Sequence, residues 1–189
     1  MKVIKENITS TIIINKSTFI TELIKVNSID EIKEELLNVK TRYKDATHYC
    51  YAYILDDNKK SSDDGEPGGT AGVPMMEVLN KHELNKILCI VTRYFGGIKL
   101  GAGGLVRAYR KSVVEALEKA TFNELIDGYN LIVEVPYNKQ SEIEYILKTN
   151  YIKKFNETVI YEIECDKETA NIIETKFKII KKDEKKIEK

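Results

Sequence analysis

The residues that could do chemistry in this chain gather between Ser61 and Arg110, and they come in two blocks of opposite charge. Asp63, Asp64 and Glu66 stand almost side by side in a Gly/Pro-rich stretch. From Arg93 to Val114 there are only basic charges: Arg93, Lys99, Arg107, Arg110 and Lys111. Closely spaced carboxylates offer hard oxygen ligands to a cation such as Mg²⁺, or they accept backbone N–H bonds at turns and helix starts. Gly101, Gly103 and Gly104 lead into a helical pattern. Free N–H groups and the macrodipole at such a start attract an anion, with phosphate the natural guest. Arg107, Arg110 and Lys111 repel one another and oppose the dipole in the first half of that helix, where acids would stabilise it. Either an anion held by Arg93, Lys99, Gly101, Gly103, Gly104 and Arg107 offsets this cost, or the acids fold across and pair with Arg93 and Arg107.

Two further features have two readings each. His48 could act as a general base, or it is a hydrogen-bonded core histidine, since it alternates with Cys50, Ala52 and Ile54 along one strand face. Tyr49, Tyr51 and Tyr53 occupy the other face. They form a stacking platform for unpaired bases, or they pack under a helix. His82 falls in a Lys-rich helix end and reads as exposed or as a C-terminal cap. No nucleophile, base and orienting group share one motif, which argues against hydrolase chemistry. No cofactor fingerprint is present, neither a Walker loop nor a dinucleotide motif.

The elements that must position these residues follow from glycine usage and periodicity. Nine of the ten glycines lie between Gly65 and Gly104. Ile8–Ile14 and Phe19–Val26 read as paired strands. Ser28 opens a capping-box helix to about Tyr43, with Ile29, Ile32, Leu36 and Leu37 on its apolar side. His48–Leu55 is a strand, Pro74 starts a short helix through Leu79, and Ile87–Thr92 is a buried strand. Gly103–Ala120 is a helix with Leu105, Tyr109, Val113 and Leu117 inward. Gly128 reads as a helix C-cap and domain joint. Beyond it comes strand 129–135, helix 138–149, two strands, helix 167–177 and strand 178–181, then a charged tail, 182–189, expected to fray. That βαββαβ order suggests a ferredoxin-like domain over 128–189, after an N-terminal domain over 1–127.

Hydrophobic residues at 42% and charged residues at 32% fit a globular chain, not a disordered one. The zero net charge predicts no general nucleic-acid coat. No apolar run is long enough to cross a bilayer and no signal-like segment opens the chain, so a cytoplasmic location without membrane contact is expected. Cys50, Cys89 and Cys165 are odd in number and lie in apolar segments, which indicates buried thiols.

The run Asp63-Asp64-Gly65-Glu66-Pro67-Gly68-Gly69-Thr70-Ala71-Gly72-Val73-Pro74, followed by Val91-Thr92-Arg93-Tyr94-Phe95-Gly96-Gly97-Ile98-Lys99-Leu100-Gly101-Ala102-Gly103-Gly104-Leu105-Val106-Arg107-Ala108-Tyr109, closely resembles the signature of the YigZ/IMPACT family, and Ala46-Thr47-His48 fits its upstream motif. His48, Gly96, Gly97 and Tyr109 are thereby motif residues. The chain departs from the family's usual small residues at Gly68 and Arg110. The resemblance implies an α+β protein: a ribosomal protein S5 domain 2-like domain followed by a ferredoxin-like domain similar to the last domain of elongation factor G. It also implies a role in translation regulation, acting through protein contacts and the ribosome, and the basic glycine loop would then grip RNA phosphate or a ribosomal partner. An Mg²⁺-dependent enzyme acting on a small phosphorylated compound and a protein-only interaction module are the alternatives.

Overall fold

In the computed structural model, which describes residues 1–147 and 151–189, the chain forms two compact units, Met1–Asn123 and Glu124–Lys189. The last two residues of the expected helix 138–149 lie outside the described residues. The first unit is built on an antiparallel sheet ordered β2-β3-β6-β4-β5. Its strands are β2 (Ile8–Ile14), β3 (Ser17–Lys25), β4 (His48–Leu55), β5 (Asn58–Ser62) and β6 (Ile87–Tyr94). A short strand β1 (Lys2–Ile4) is tied to the chain at Glu83 and Asn85 through Lys2.

Helix α1 (Ile29–Arg42) covers one face of this sheet, and helices α2 (Gly72–Lys81) and α3 (Gly101–Leu117) cover the other. The α3 face holds the larger core. Leu105, Tyr109, Val113 and Leu117 are all buried there, as the helical spacing predicts, and the Tyr109 ring meets Phe19 edge-on at 5.3 Å. On the α1 side Ile32 and Val39 are buried, but Leu37 is exposed, because the apolar stripe turns toward Val39 instead. The row Tyr49, Tyr51 and Tyr53 packs half-buried against the α1 cluster, and the Tyr49 hydroxyl donates to the Tyr43 carbonyl at 2.6 Å. The three cysteines are free and buried.

The second unit runs β7 (Phe122–Val135), a 3-10 turn at 137–139, α4 (Gln140–Leu147), β8 (Tyr151–Phe155), β9 (Val159–Asp166), α5 (Lys167–Lys176) and β10 (Lys178–Glu188). Its strands pair antiparallel in the order β10-β7-β9-β8. Two expectations fail here. The charged tail does not fray: β10 continues to Glu188 against β7, with Lys178 and Lys186 lying opposite and ion-paired to Glu134 and Asp127. Opposite charges placed directly across a strand pair support pairing that hydropathy alone cannot indicate. Gly128 is not a helix cap either. It lies within β7, where a methyl group would come 2.5 Å from the Cys165 carbonyl oxygen, so close strand approach accounts for the glycine. The helix before it ends at Leu117 and tightens into 3-10 hydrogen bonds from Lys119 and Ala120.

Among the described residues no helix is long and apolar enough to cross a membrane.

Candidate anion site at the start of the third helix

The acidic loop is closed by its own side chains. Asp63 accepts N–H bonds from Gly69 (2.8 Å), Ala71 (2.9 Å) and Gly72 (2.8 Å), so it folds the loop back and caps α2, whose own N-cap, Ala71, has no side-chain acceptor. Partial burial alone would raise the Asp63 carboxyl, but these three donors outweigh it and hold it below the usual range. Asp64 accepts from the Tyr49 N–H at 2.7 Å. Gly65, with φ +85°, then turns the chain so that Glu66 points inward.

Glu66 is buried, and its Oε1 accepts from Arg93 Nη1 at 2.6 Å and from the Tyr109 hydroxyl at 2.8 Å. Arg93 is the last buried residue of strand β6, one before its end at Tyr94. Its guanidinium sits over the rings of Phe19 and Phe95 at 5.4 and 5.5 Å and also donates to Ser17 Oγ, while its Nε is buried without a partner. Beneath the pair, the Cys50 thiol lies 3.3 Å from the Tyr109 hydroxyl. Burial raises the pKa of both groups, Cys50 to about 12, so neither is a nucleophile at neutral pH. His48 is half-buried: Nδ1 is 2.8 Å from the Asp64 carbonyl oxygen and Nε2 is 3.7 Å from Glu66 Oε2.

The three acids therefore do not converge. Asp63 and Asp64 serve backbone N–H groups and Glu66 serves Arg93 and Tyr109; among the described residues no cluster of His, Cys, Asp or Glu could hold a metal ion. The Mg²⁺ reading of this loop gains no support, since the three carboxylates are engaged by separate sets of the chain's own donors and do not face one site.

The start of α3 is the opposite case. Its N-cap is Leu100, no side chain caps it, and its first turn contains no acid. Gly97 and Gly101 adopt φ of +85° and +68°, conformations that favour glycine, and a methyl at Gly96 would lie 2.0 Å from the Lys16 carbonyl. Gly103, by contrast, faces open space: the nearest atom to an added methyl is Arg107 Nη1 at 3.7 Å. Of the nearby cations, Arg93 pairs with Glu66, Arg110 with Glu77 and Lys111 with Glu115. Lys99 and Arg107 are exposed and make no ion pair with any described residue.

This helix start opens into a cavity of about 420 Å³ lined by Thr47, His48, Glu66, Arg93, Phe95 and Lys99 together with Pro67, Leu105 and the first residues of α3. Of the residues singled out from sequence, His48, Glu66, Arg93, Lys99 and Gly101 meet at this cavity. Gly103, Gly104 and Arg107 lie farther along α3, Tyr109 lies beneath, Gly96 and Gly97 shape the approach, and Asp63 and Asp64 hold the neighbouring loop. Sequence reading passed over Phe95 and Thr47. The signal for Phe95 was an exposed-type aromatic between a buried strand and a glycine pair; Thr47 orients it by accepting its N–H at 3.0 Å.

The Impact N-terminal domain model matches residues 15–117, which spans the acidic loop, Arg93 and all of α3. The chain is 41% identical over 171 residues to the IMPACT family member YvyE of Bacillus subtilis, covering 77% of this chain and 79% of that one. The chain belongs to the IMPACT family. It is also 37% identical over 139 residues to the family member YigZ of Escherichia coli, covering 71% and 68% of the two chains. A crystal structure of a hypothetical protein superposes with a TM-score of 0.66 at 29% identity, over 94% of this chain and 95% of that one. Within this IMPACT chain the signature residues do two jobs. Asp63, Glu66, Arg93, Gly96 and Tyr109 build the scaffold, while Lys99, Gly101, Gly103 and Arg107 surround the uncapped helix start.

Proposed function

We propose that this IMPACT-family chain is a translation-associated binding protein of the cytoplasm that grips an RNA phosphate, on free RNA or on the ribosome, at the start of α3. One observation carries the reading: a helix of 17 residues begins with neither side-chain cap nor acid, beside two cations, Lys99 and Arg107, that have no ion-pair partner among the described residues. Its first N–H groups and its dipole remain to be satisfied by something negative. Arg93 contributes indirectly, since its charge is balanced by Glu66 and it fixes the cavity wall. The strand order β10-β7-β9-β8 supports the ferredoxin-like reading of the second unit, and the family resemblance supports an S5 domain 2-like first unit, both at home in translation proteins.

Less favoured is the alternative of an Mg²⁺-dependent enzyme on a small phosphorylated compound, because Asp63, Asp64 and Glu66 are each engaged by different donors of the chain itself. The test is binding of a single-stranded RNA at low salt to wild type and to Lys99→Glu/Arg107→Glu. The expected result is a loss of about 10-fold or more and a shallower salt dependence in the variant. Unchanged binding would sink the proposal; absence of RNA binding together with RNase-resistant capture of a protein partner would favour the interaction-module reading.

A further inference from the structure

His48 and Glu66 line the same cavity, each with one polar atom outside the hydrogen bonds described above. His48 Nδ1 lies 2.8 Å from the Asp64 carbonyl oxygen, which can only accept, so Nδ1 carries the proton. In the neutral ring Nε2 is then an acceptor. It faces Glu66 Oε2 across 3.7 Å, beyond hydrogen-bond reach. The other carboxylate oxygen, Oε1, is served twice, by Arg93 and by Tyr109. The Glu66 side chain is 97% buried, and both residues line the cavity that the start of α3 enters. Two acceptors directed at one space are complementary to a guest that supplies two hydrogens, one to each.

We propose that this pair receives the vicinal hydroxyls of a terminal ribose, so that the cavity holds the 3′ end of an RNA strand while the adjoining phosphate rests on the first turn of α3. The inference rests on the anion reading above and adds what that anion is attached to. A carboxylate is a common acceptor for ribose hydroxyls, and here the imidazole lone pair takes the second one. The rest of the cavity suits the carbon face of a nucleotide, since Phe95, Pro67 and Leu105 line it. An exocyclic amine of a base also brings two hydrogens. A terminal uridine carries none, which removes that source from the experiment.

The experiment measures fluorescence anisotropy of the full chain at low salt with a short single-stranded RNA ending in uridine, against the same RNA ending in 2′,3′-dideoxyuridine. The diol end is expected to bind about 10-fold tighter, and His48→Phe is expected to bind both ends alike. Glu66 is left unmutated because its removal would strand Arg93. Equal affinity of the wild type for the two ends overturns the ribose inference and leaves the anion reading standing, a comparison that needs no variant to fold. If neither RNA binds and inorganic phosphate gives no thermal shift, the anion reading falls and this inference falls with it.

Discussion

At the start of α1, Ser28 accepts the Glu31 N–H at 3.2 Å, the Glu31 carboxylate accepts from Asn27 N–H at 2.9 Å, and Asp30 adds a second acid to the first turn. At the start of α3, Leu100 stands where Ser28 does, glycine and alanine replace the acids, and the cations Lys99 and Arg107 flank the turn. Helices α2 and α5 follow α1, since Asp63 and Asp166 accept their first N–H groups. The same chemistry that closes three helix starts from within is withheld from α3. A chain selected for stability alone would have capped it for a gain of about 1 kcal/mol, and the proposed anion site at α3 is a use for the donors so left open.

The contrast between a cation already used and one held free gives the largest expected effect. Arg93→Ala leaves Glu66 buried and unpaired and should cost about 3–5 kcal/mol. Lys99→Ala, at an exposed position with no ion-pair partner among the described residues, should change stability by less than about 0.5 kcal/mol while weakening RNA binding. Urea denaturation of the two variants measures the difference. Similar stability losses would mean that Lys99 is structural and that the free-cation description of α3 is wrong.

Asp63→Ala comes next, at about 2 kcal/mol, because one carboxylate serves three N–H groups of the loop and of α2. The same contact predicts a pH dependence of definite sign. The folded carboxyl titrates below its ordinary value of 3.8, so its contribution is complete above that pH and is lost as pH falls through the folded value. The Asp63→Ala variant should therefore lose less stability than wild type between pH 5 and the acid limit, as followed by circular dichroism. Ser28→Ala should cost about 1 kcal/mol through α1 alone, and its RNA affinity should match wild type. A change in affinity there would show that binding follows global stability and not the α3 start.

Much of the fold was legible because burial imposes period. The two-fold alternation of β4 and the 3.6-fold spacing of Leu105, Tyr109, Val113 and Leu117 could be read directly, and the structure buries those residues. β5 was invisible, since Asn58–Ser62 is polar throughout and pairs only through its backbone with β4 after a two-residue turn. β10 was half visible: after Ile179 and Ile180 its next apolar residue is the lone Ile187, and the charged stretch between them depends on partners in β7 far away in sequence. At the site, local features such as the missing acids of α3 were legible. Pairings were not, because Glu66 and Arg93 are 27 residues apart and the neighbouring Asp63 and Arg107 offered alternative partners of the same charge. A charged residue directly after the apolar run Ile87–Val91 and Thr92 was the available hint that Arg93 had an internal partner.

The smallest stability effect gives the sharpest test of the contrast between α1 and α3. Ala102 is exposed in the first turn of α3, and Ala102→Glu would supply there the acid that α1 already has. A carboxylate at that position meets the free N–H groups and the positive end of the dipole, worth about 0.5 kcal/mol. If α3 is left open for an anion, the substitution should raise thermal stability slightly and at the same time abolish RNA binding, since the new carboxylate occupies the donors and repels phosphate. Stability and function would then move in opposite directions from one exposed residue. A variant that is stabilised and still binds RNA as wild type would place the phosphate contact elsewhere, while a destabilised one would show that the N–H groups of this turn are already satisfied.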